Sequence, residues 1–352
     1  MLRLLSALVI LPTLAFGQTG PQFHDGHFHP TDYIQQEIAP QALLDVLGET
    51  VGRVALMGIP LQQKWDPFVS GDRAPDYYLR SDAALYYYSF VDAALAELVR
   101  ALPVAERDRV DPMITGFNPT DMYAVDHVRR VLRLYPGVFT GIGEFSIHKE
   151  VVSSKTVGHT ASLRNPALDR ILEFAAETGL LVMLHSDADV ILPRPGDRPA
   201  HFDPLVEVLR EHPGATVLWA HAGLGRFVEP TPGYAGLIRE LLEDPALERL
   251  HFDLSWDVVA EQVVAPDERL AAWADLLDRW PDRFVLGSDT VVPATQEGYL
   301  ANFEAWQPLL DRVSSATGHA VRLGNYERLF DGARDRVRAW EREDSGRSAP
   351  GS

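Results

Sequence analysis

Residues 23–30 read FHDGHFHP, and this short run sets the expectation for the whole chain. Successive side chains of a strand point to opposite faces, so His27 and His29 would project from the same face. Two imidazoles on one face can bind one metal ion together. The run therefore predicts a strand that carries half of a metal site.

Four later runs have a related pattern, in which a short apolar stretch ends on a polar residue. At the carboxyl ends of the parallel strands of a (β/α)8 barrel, the loops converge on one mouth. A single histidine in such a place is more often a core or loop residue. Five segments that all end on ligand types suited to zinc-like ions nevertheless predict a metal site. The four later runs are FTGIGEF with Glu144, LVMLHSD with His185, TVLWAHAG with His221 and FVLGSD with Asp289.

Strand and helix patterns alternate eight times along the chain. Near-continuous apolar runs are typical of parallel strands covered on both faces, and parallel neighbours need crossover helices. The sequence predicts an α/β fold, a single (β/α)8 TIM barrel with long βα loops over residues 18–340. Strands are expected at 23–29, 53–59, 112–117, 138–145, 180–186, 215–221, 249–255 and 283–289, and helices at 40–49, 82–102, 124–135, 166–179, 202–214, 235–244, 266–281 and 299–318.

Two connections are unusually long, residues 60–82 and residues 148–165. Both follow strand ends at the predicted mouth, so they could form a lid or a substrate wall, or they could be tolerated insertions. The polar residues 341–352 are expected to form a disordered tail.

The composition excludes some classes of partner. The chain has 352 residues, a formal net charge of −18 and no basic run, so nucleic acid is not expected to bind. It has no cysteine, so metal ligands can only be nitrogen and oxygen atoms. A small-molecule substrate is the expected partner, and the oligomeric state cannot be read from the sequence.

The first twenty residues, MLRLLSALVILPTLAFGQTG, combine a basic residue, an apolar run and small residues near Gly17. This pattern predicts a signal peptide over residues 1–17 and export to the periplasm or the medium. The apolar stretch is shorter than the ~20 residues of a membrane span, and no later stretch is long enough.

These motifs together resemble the amidohydrolase superfamily, in particular amidohydrolase family 2 of metal-dependent TIM-barrel hydrolases. The resemblance rests on the HFH pair, the histidines that end strands five and six, the aspartate after strand eight and LGNYERLF at 323–330, which is similar to the closing helix of the family. It covers nearly the whole chain after the signal peptide.

The resemblance implies two divalent ions, with zinc favoured and manganese, cobalt or iron as alternatives. His27 and His29 would bind the more buried ion near Asp289, His185 and His221 would bind the second, and Glu144 would bridge the two. Relatives with one metal use the strand-one pair, the strand-five histidine and the final aspartate, which would leave His221 as an acid or base.

The expected activity is hydrolysis of a small ester, lactone, amide or phosphoester by metal-activated water, with Asp289 as the catalytic proton acceptor. The alternatives are a single-metal non-oxidative decarboxylase of an aromatic acid and a non-catalytic metal-binding protein of the cell envelope. Substrate contacts could come from His148, Lys149, Arg226 and Trp256, or these could be solvated loop residues. By contrast, His24, His127 and His251 are expected to lie outside the site.

Overall fold

The computed structural model describes residues 20–32, 35–59, 89–149, 162–194 and 196–348. Within them lies one sheet, whose strands begin and end close to the predicted positions. The strands are β1 (Phe23–His29), β2 (Val51–Met57), β3 (Val110–Ile114), β4 (Gly141–His148), β5 (Leu181–Ser186), β6 (Val217–Trp219), β7 (Leu250–Leu254), β8 (Phe284–Leu286) and β9 (Thr290–Val291).

Every pairing between these strands is parallel, and the order across the sheet is β8-β7-β6-β5-β4-β3-β2-β1-β9. The short strand β9, which the sequence did not predict, pairs with β1 through Phe28 and His29. Because only residues 287–289 separate β8 from β9, the two ends of the sheet are joined by a short turn. The sheet is therefore curled, and the predicted α/β class with a parallel sheet is confirmed.

Helices connect the consecutive strands from β1 to β8 and cover the outer face of the sheet. Residues 166–178 show why a helix forms where predicted. Asn165 accepts a hydrogen bond from the amide of Ala167, Pro166 occupies the first turn, and Gly179 ends the helix with a φ of 77°. The α-helices are Pro40–Leu47, Val91–Ala101, Ala124–Leu134, Pro166–Thr178, Phe202–Glu211, Tyr234–Glu243, Asp257–Val264, Asp267–Arg279, Gln296–Glu304, Gln307–Leu310, Ser315–His319 and Asn325–Ser348.

Three short 3₁₀ segments and one π segment complete the described secondary structure. They are Val104–Arg109, Ala220–Gly223, Pro245–Leu247 and, as the π segment, Ala320–Gly324.

Two apolar clusters stabilise this arrangement. The larger one fills the space between the sheet and the surrounding helices. The smaller one lies inside the curl of the sheet, where side chains from alternate strand positions meet. The C-terminal helix Asn325–Ser348 contributes Tyr326 and Phe330 to this inner cluster, whose strand residues are Ala55, Met57, Met113, Leu181, Met183, Leu218 and Val285.

The C-terminal helix corrects one prediction. Residues 341–352 were expected to be disordered, but the helix continues to Ser348. The reason is a tertiary contact, because the buried carboxylate of Glu341 accepts a hydrogen bond from the amide of Gly137 and one from the Arg338 guanidinium. A polar tail composition could not reveal that contact.

Several predictions concern residues outside those that the structure describes. They are the signal peptide at 1–17, the whole of the connection 60–82, most of the connection 148–165 and the last four residues of the chain. Among the described residues, no helix is both long and apolar enough to span a membrane.

Candidate metal centre

Five of the six predicted ligands meet at the carboxyl ends of the strands. His27 and His29 come from β1, Glu144 from β4, His221 from the turn after β6, and Asp289 from the turn between β8 and β9. Their ligand atoms form two groups, each with atoms within 4.8 Å of one another, and His27 belongs to both. One group holds His27, Glu144 and His221, and the other holds His27, His29 and Asp289.

The two carboxylates lie among the three histidine Nε2 atoms. Asp289 Oδ1 lies 3.0 Å from Nε2 of His29 and 3.3 Å from Nε2 of His27. Glu144 Oε2 lies 3.7 Å from Nε2 of His29 and 4.0 Å from Nε2 of His27. His221 Nε2 lies 3.9 Å from Glu144 Oε1 and 3.8 Å from Asp289 Oδ2. Ligand atoms that each lie about 2 Å from one ion are separated by about 3 to 4 Å, so this spacing suits shared metal ligands.

Unusual backbone conformations turn two of these residues into the site. His221 and Asp289 both have a φ of 53°, in the left-handed region that residues other than glycine rarely adopt. Ala222 and Trp256, at neighbouring strand ends, have φ values of 51° and 71°. Such conformations are costly and concentrate at functional sites, so this cluster of four independently marks the mouth of the sheet.

Glycine is required immediately before Glu144. Gly143 has a φ of 114°, and a Cβ atom there would lie 2.2 Å from the carbonyl oxygen of Met183 on β5. The close approach of β4 to β5 therefore depends on a residue without a side chain, and it sets the position of the Glu144 carboxylate.

Among the described residues, the Nε2 atoms of two predicted ligands are buried without a hydrogen-bond partner. They are Nε2 of His27 and Nε2 of His221, and both face the carboxylates of Glu144 and Asp289. A buried polar atom without a partner is costly. Imidazole nitrogens beside carboxylate oxygens are the donor set of a divalent ion such as zinc, so the residues present fit the metal that the sequence predicted.

The electrostatics of the site favour positive charge. Burial alone would lower the pKa of His27, but the negative charges of Asp289 and Asp253 raise it to about 10. Burial would raise the pKa of Asp289, yet the neighbouring histidines, with His27 first, lower it below its ordinary value. Burial lowers the pKa of His221 to about 3, so its imidazole is neutral at pH 7. The carboxylates thus remain ionised and attract a cation.

Lys149 adds a positive charge at the edge of the site. Its Nζ atom lies 3.7 Å from Glu144 Oε1. Burial would raise the pKa of Glu144, but Lys149 and then His185 hold it well below its ordinary value. The predicted substrate residue Lys149 is therefore in contact with a predicted metal ligand.

The sixth predicted ligand, His185, lies beside the two groups and belongs to neither. Its Nδ1 atom makes a very short contact with Glu144, and its Nε2 atom lies 3.0 Å from Asp187 Oδ1. Both nitrogens thus face carboxylates, an arrangement that orients Glu144. The role of His185 as a metal ligand stays a prediction.

The other three predicted substrate residues differ in their distance from the site. The ring of Trp256 lies 5.3 Å from that of His221, and the guanidinium of Arg226 lies 5.4 Å from the centre of the Trp256 ring. His148, at the end of β4, instead stacks on His201 with ring centres 3.7 Å apart. Burial, together with His201, lowers the pKa of His148 to about 4.

The three histidines expected outside the site belong to neither ligand group. Nε2 of His24 contacts Glu327 of the C-terminal helix, and Nε2 of His127 contacts Asp92. His251 lies at the start of β7, where burial and then Arg283 lower its pKa to about 3.

Sequence reasoning missed two buried polar residues on β7 and just after it. Asp253 Oδ2 lies 2.9 Å from Nδ1 of His27, and Ser255 Oγ lies 2.8 Å from Nδ1 of His221. The available signal was the alternation in LHFDLS, which places Asp253 and Ser255 on one face of a strand whose other face is apolar.

Comparison with known proteins identifies the family of the chain. The family profile Amidohydro_2, described as amidohydrolase, matches residues 24–332. The chain belongs to this amidohydrolase family. The family resemblance inferred from the sequence is therefore confirmed. No curated protein matches the sequence of this amidohydrolase.

Solved structures with the same fold have low sequence identity to this amidohydrolase. A provisionally assigned 2-pyrone-4,6-dicarboxylic acid hydrolase from Pseudomonas putida is 17% identical, with a TM-score of 0.53 over 88% of this chain and 98% of the other. An amidohydrolase from Burkholderia multivorans with bound zinc is 14% identical, with a TM-score of 0.52 over 88% and 99%. The 2,6-dihydroxybenzoate decarboxylase from Rhizobium is 14% identical, with a TM-score of 0.51 over 88% and 99%.

Proposed function

We propose that this amidohydrolase is a metal-dependent hydrolase that acts on a small ester, lactone, amide or phosphoester. The observation that carries the proposal is the pair of buried, unpartnered Nε2 atoms of His27 and His221 beside the carboxylates of Glu144 and Asp289. Three nitrogens and two carboxylates in one place form a ligand set for divalent ions.

We infer two ions, each associated with one ligand group. His27, His29 and Asp289 would hold the first, and Glu144 with His221 would hold the second, with His185 as a further predicted ligand. Zinc is favoured because the donors are nitrogen and oxygen, with manganese, cobalt and iron as alternatives. Bound divalent ions lower the pKa of water to about 7 and polarise a carbonyl or phosphoryl oxygen.

The side chains around the ligands would supply the proton transfers and the orientation of the substrate. The Asp289 side chain is 11% exposed, which is the largest exposed fraction among the predicted ligands. Its carboxylate can therefore reach a substrate at the mouth. It would accept a proton from the attacking water and pass it to the leaving group. Lys149 and Arg226 would attract an anionic group of the substrate, and the Trp256 ring would pack against an apolar part.

The decarboxylase alternative requires only one ion and no attacking water. Glu144 argues against it, because its carboxylate lies within 4.0 Å of His27, His29 and His221 Nε2 atoms rather than at the edge of the site. A purely metal-binding protein would not require a partly exposed carboxylate at Asp289. Hydrolysis therefore remains our first choice.

Two further parts of the proposal concern architecture and location. We propose that the curled sheet is the ring of a (β/α)8 barrel, since the turn after β8 leads directly into β9, which pairs with β1. We also propose that residues 1–17 direct export, to the periplasm or the medium.

Metal content measured by elemental mass spectrometry tests the proposal. Protein purified without chelators should contain close to two ions per chain, and Glu144→Gln should lose metal. The matched variant Glu97→Gln, which changes an exposed carboxylate paired with Arg100, should retain both ions. Ester, lactone, amide and phosphoester panels would follow. A content of one ion per chain that Glu144→Gln does not change, together with carbon dioxide release from aromatic acids, would contradict the hydrolase proposal. The protein would then be assigned as a decarboxylase.

A further inference from the structure

The carboxylate of Asp253 is the centre of a buried hydrogen-bond cluster behind the candidate metal ligands. Its Oδ2 atom accepts hydrogen bonds from the Ser255 hydroxyl, from Nδ1 of His27 at 2.9 Å and from the backbone amide of His221 at 3.2 Å. Asp253 and Ser255 are both fully buried. The hydrogen bonds in the cluster are therefore shielded from bulk water.

The directions of these hydrogen bonds follow from the chemistry of the groups. An ionised carboxylate can only accept, so Nδ1 of His27 must donate to Asp253. The single hydroxyl proton of Ser255 is also donated to Asp253, which leaves only a lone pair of Oγ for Nδ1 of His221, 2.8 Å away. Nδ1 of His221 must therefore carry a proton and donate it to Ser255.

We propose that Asp253 fixes Nδ1 of both imidazoles as the hydrogen-bond donor. It acts directly on His27, and it acts on His221 through Ser255. Both Nε2 atoms are then directed at Glu144 and Asp289. Within the described part of the chain, neither of these Nε2 atoms has a hydrogen-bond partner. Asp253 and Ser255 are positioning residues, because they act on the site through the two histidines.

The local sequence provides space for this cluster. Gly287, in the motif FVLGSD, packs so closely that a Cβ atom there would lie 2.8 Å from Asp253 Oδ1 and 2.9 Å from His27 Cβ. The glycine of the motif thus leaves room for Asp253 to reach His27, while the aspartate two residues later joins the ligand groups.

The consequence for metal binding rests on the proposed function. The two residues are expected to affect the two ligand groups unequally. Removal of the Ser255 hydroxyl takes away the partner of His221 Nδ1 at 2.8 Å, and His221 belongs to the group with Glu144. Nδ1 of His27 loses only a longer contact of 3.4 Å and keeps Asp253 at 2.9 Å. Neutralising Asp253 affects both histidines, and therefore both groups. Loss of a partner that orients a ligating histidine typically weakens metal binding tenfold to a hundredfold.

The first experiment requires no metal. Histidine ¹⁵N shifts of the metal-free protein at pH 7 distinguish a protonated Nδ1 from a protonated Nε2. Wild-type His221 should be protonated at Nδ1, and Ser255→Ala should shift the proton toward Nε2, whereas Ser255→Thr should retain the wild-type form. Ser186→Ala is the matched control, because Ser186 is a buried serine at the end of β5 whose hydroxyl has no partner among the described residues. Wild-type His221 protonated at Nε2 would overturn the inference, even if every Ser255 variant failed to fold.

The second experiment measures zinc affinity by competition with a chromophoric chelator. Ser255→Ala should lower the affinity for one of the two ions by tenfold to a hundredfold, and Asp253→Asn should lower the affinity for both. The affinities of Ser186→Ala should stay within twofold of those of the wild type. Unchanged affinities in a folded Ser255→Ala protein would contradict the positioning role. A wild-type protein that binds none of zinc, manganese, cobalt and iron would refute the proposed function, while the ¹⁵N result would still decide the proton position on His221.

Discussion

Asp289 and His29 join the two ends of the curled sheet at the candidate metal centre. Asp289 Oδ1 lies 3.0 Å from Nε2 of His29, although 260 positions separate the two residues in the chain. The backbone of the same turn is fixed as well, since the amide of Asp289 donates to the carbonyl of His27 at 2.7 Å. The position of the proposed proton acceptor is therefore set by β1.

Replacement of Asp289 by asparagine should separate catalysis from metal binding. The amide has nearly the same shape but cannot accept a proton, so turnover should fall at least about a hundredfold while most of the metal is retained. Turnover on the substrate found in the panels and elemental analysis check this. Asp275→Asn, a change in an exposed ion pair with Arg239, is the control. Near-normal turnover of Asp289→Asn would exclude the proton-transfer role.

Replacement of His251 by glutamine should alter acid stability and leave turnover nearly unchanged. The pKa of His251 is lowered from 6.5 to about 3 in the folded state by burial and then by Arg283. Between these values the unfolded chain binds more protons, so the contribution of His251 is complete above pH 6.5 and is lost as the pH falls toward 3. The free energy of unfolding should decrease by up to about 1 kcal/mol per pH unit more in wild type than in the variant.

Urea unfolding at pH 7, 6, 5 and 4 measures this difference. His319→Gln, at an exposed position, should leave the pH dependence as in wild type. Parallel pH curves for wild type and His251→Gln would disprove the assignment. A selective loss of turnover in folded His251→Gln would place His251 at the catalytic end of the sheet.

Replacement of Gly143 by alanine should damage both stability and the metal site. The new Cβ atom would meet the carbonyl oxygen of Met183 at 2.2 Å, and the φ of 114° is unfavourable for alanine. The free energy of unfolding should drop by at least about 2 kcal/mol, and metal affinity should fall with it. Gly236→Ala, in an uncrowded helical position, should change stability by less than about 1 kcal/mol. Equal effects of the two substitutions would contradict the close approach of β4 to β5.

Replacement of Glu341 by alanine should destabilise the protein although the residue lies in a polar tail sequence. The carboxylate is 9% exposed and accepts from the Gly137 amide and from Arg338. Its loss leaves the Gly137 amide without this acceptor and leaves Arg338 Nη1 with the Phe139 carbonyl, which should cost about 1 to 3 kcal/mol. Thermal unfolding measures this, with the exposed neighbour Glu343→Ala as the control. If the two variants unfold at the same temperature, the end of the helix is not held by Glu341.

The sequence predicted most elements because apolar runs and helical periodicity are local properties. Strands β1 to β8 lie within a few residues of their expected positions, and Asn165 and Gly179 bound their helix as expected. The failures are instructive. Strand β9 has only two residues and exists because it pairs with β1, and residues 341–348 are helical because Glu341 contacts Gly137.

The sequence by itself determined which residue types stand at the carboxyl ends of the strands, and hence the metal-ligand chemistry of His27, His29, Glu144, His221 and Asp289. Only the tertiary structure decided which atoms converge. It engages both nitrogens of His185 with the carboxylates of Glu144 and Asp187, and it places Asp253 behind His27. The physical reason is that hydrogen-bond partners depend on the register between distant strands and on the left-handed turns at His221 and Asp289, which bring together groups that no local pattern connects.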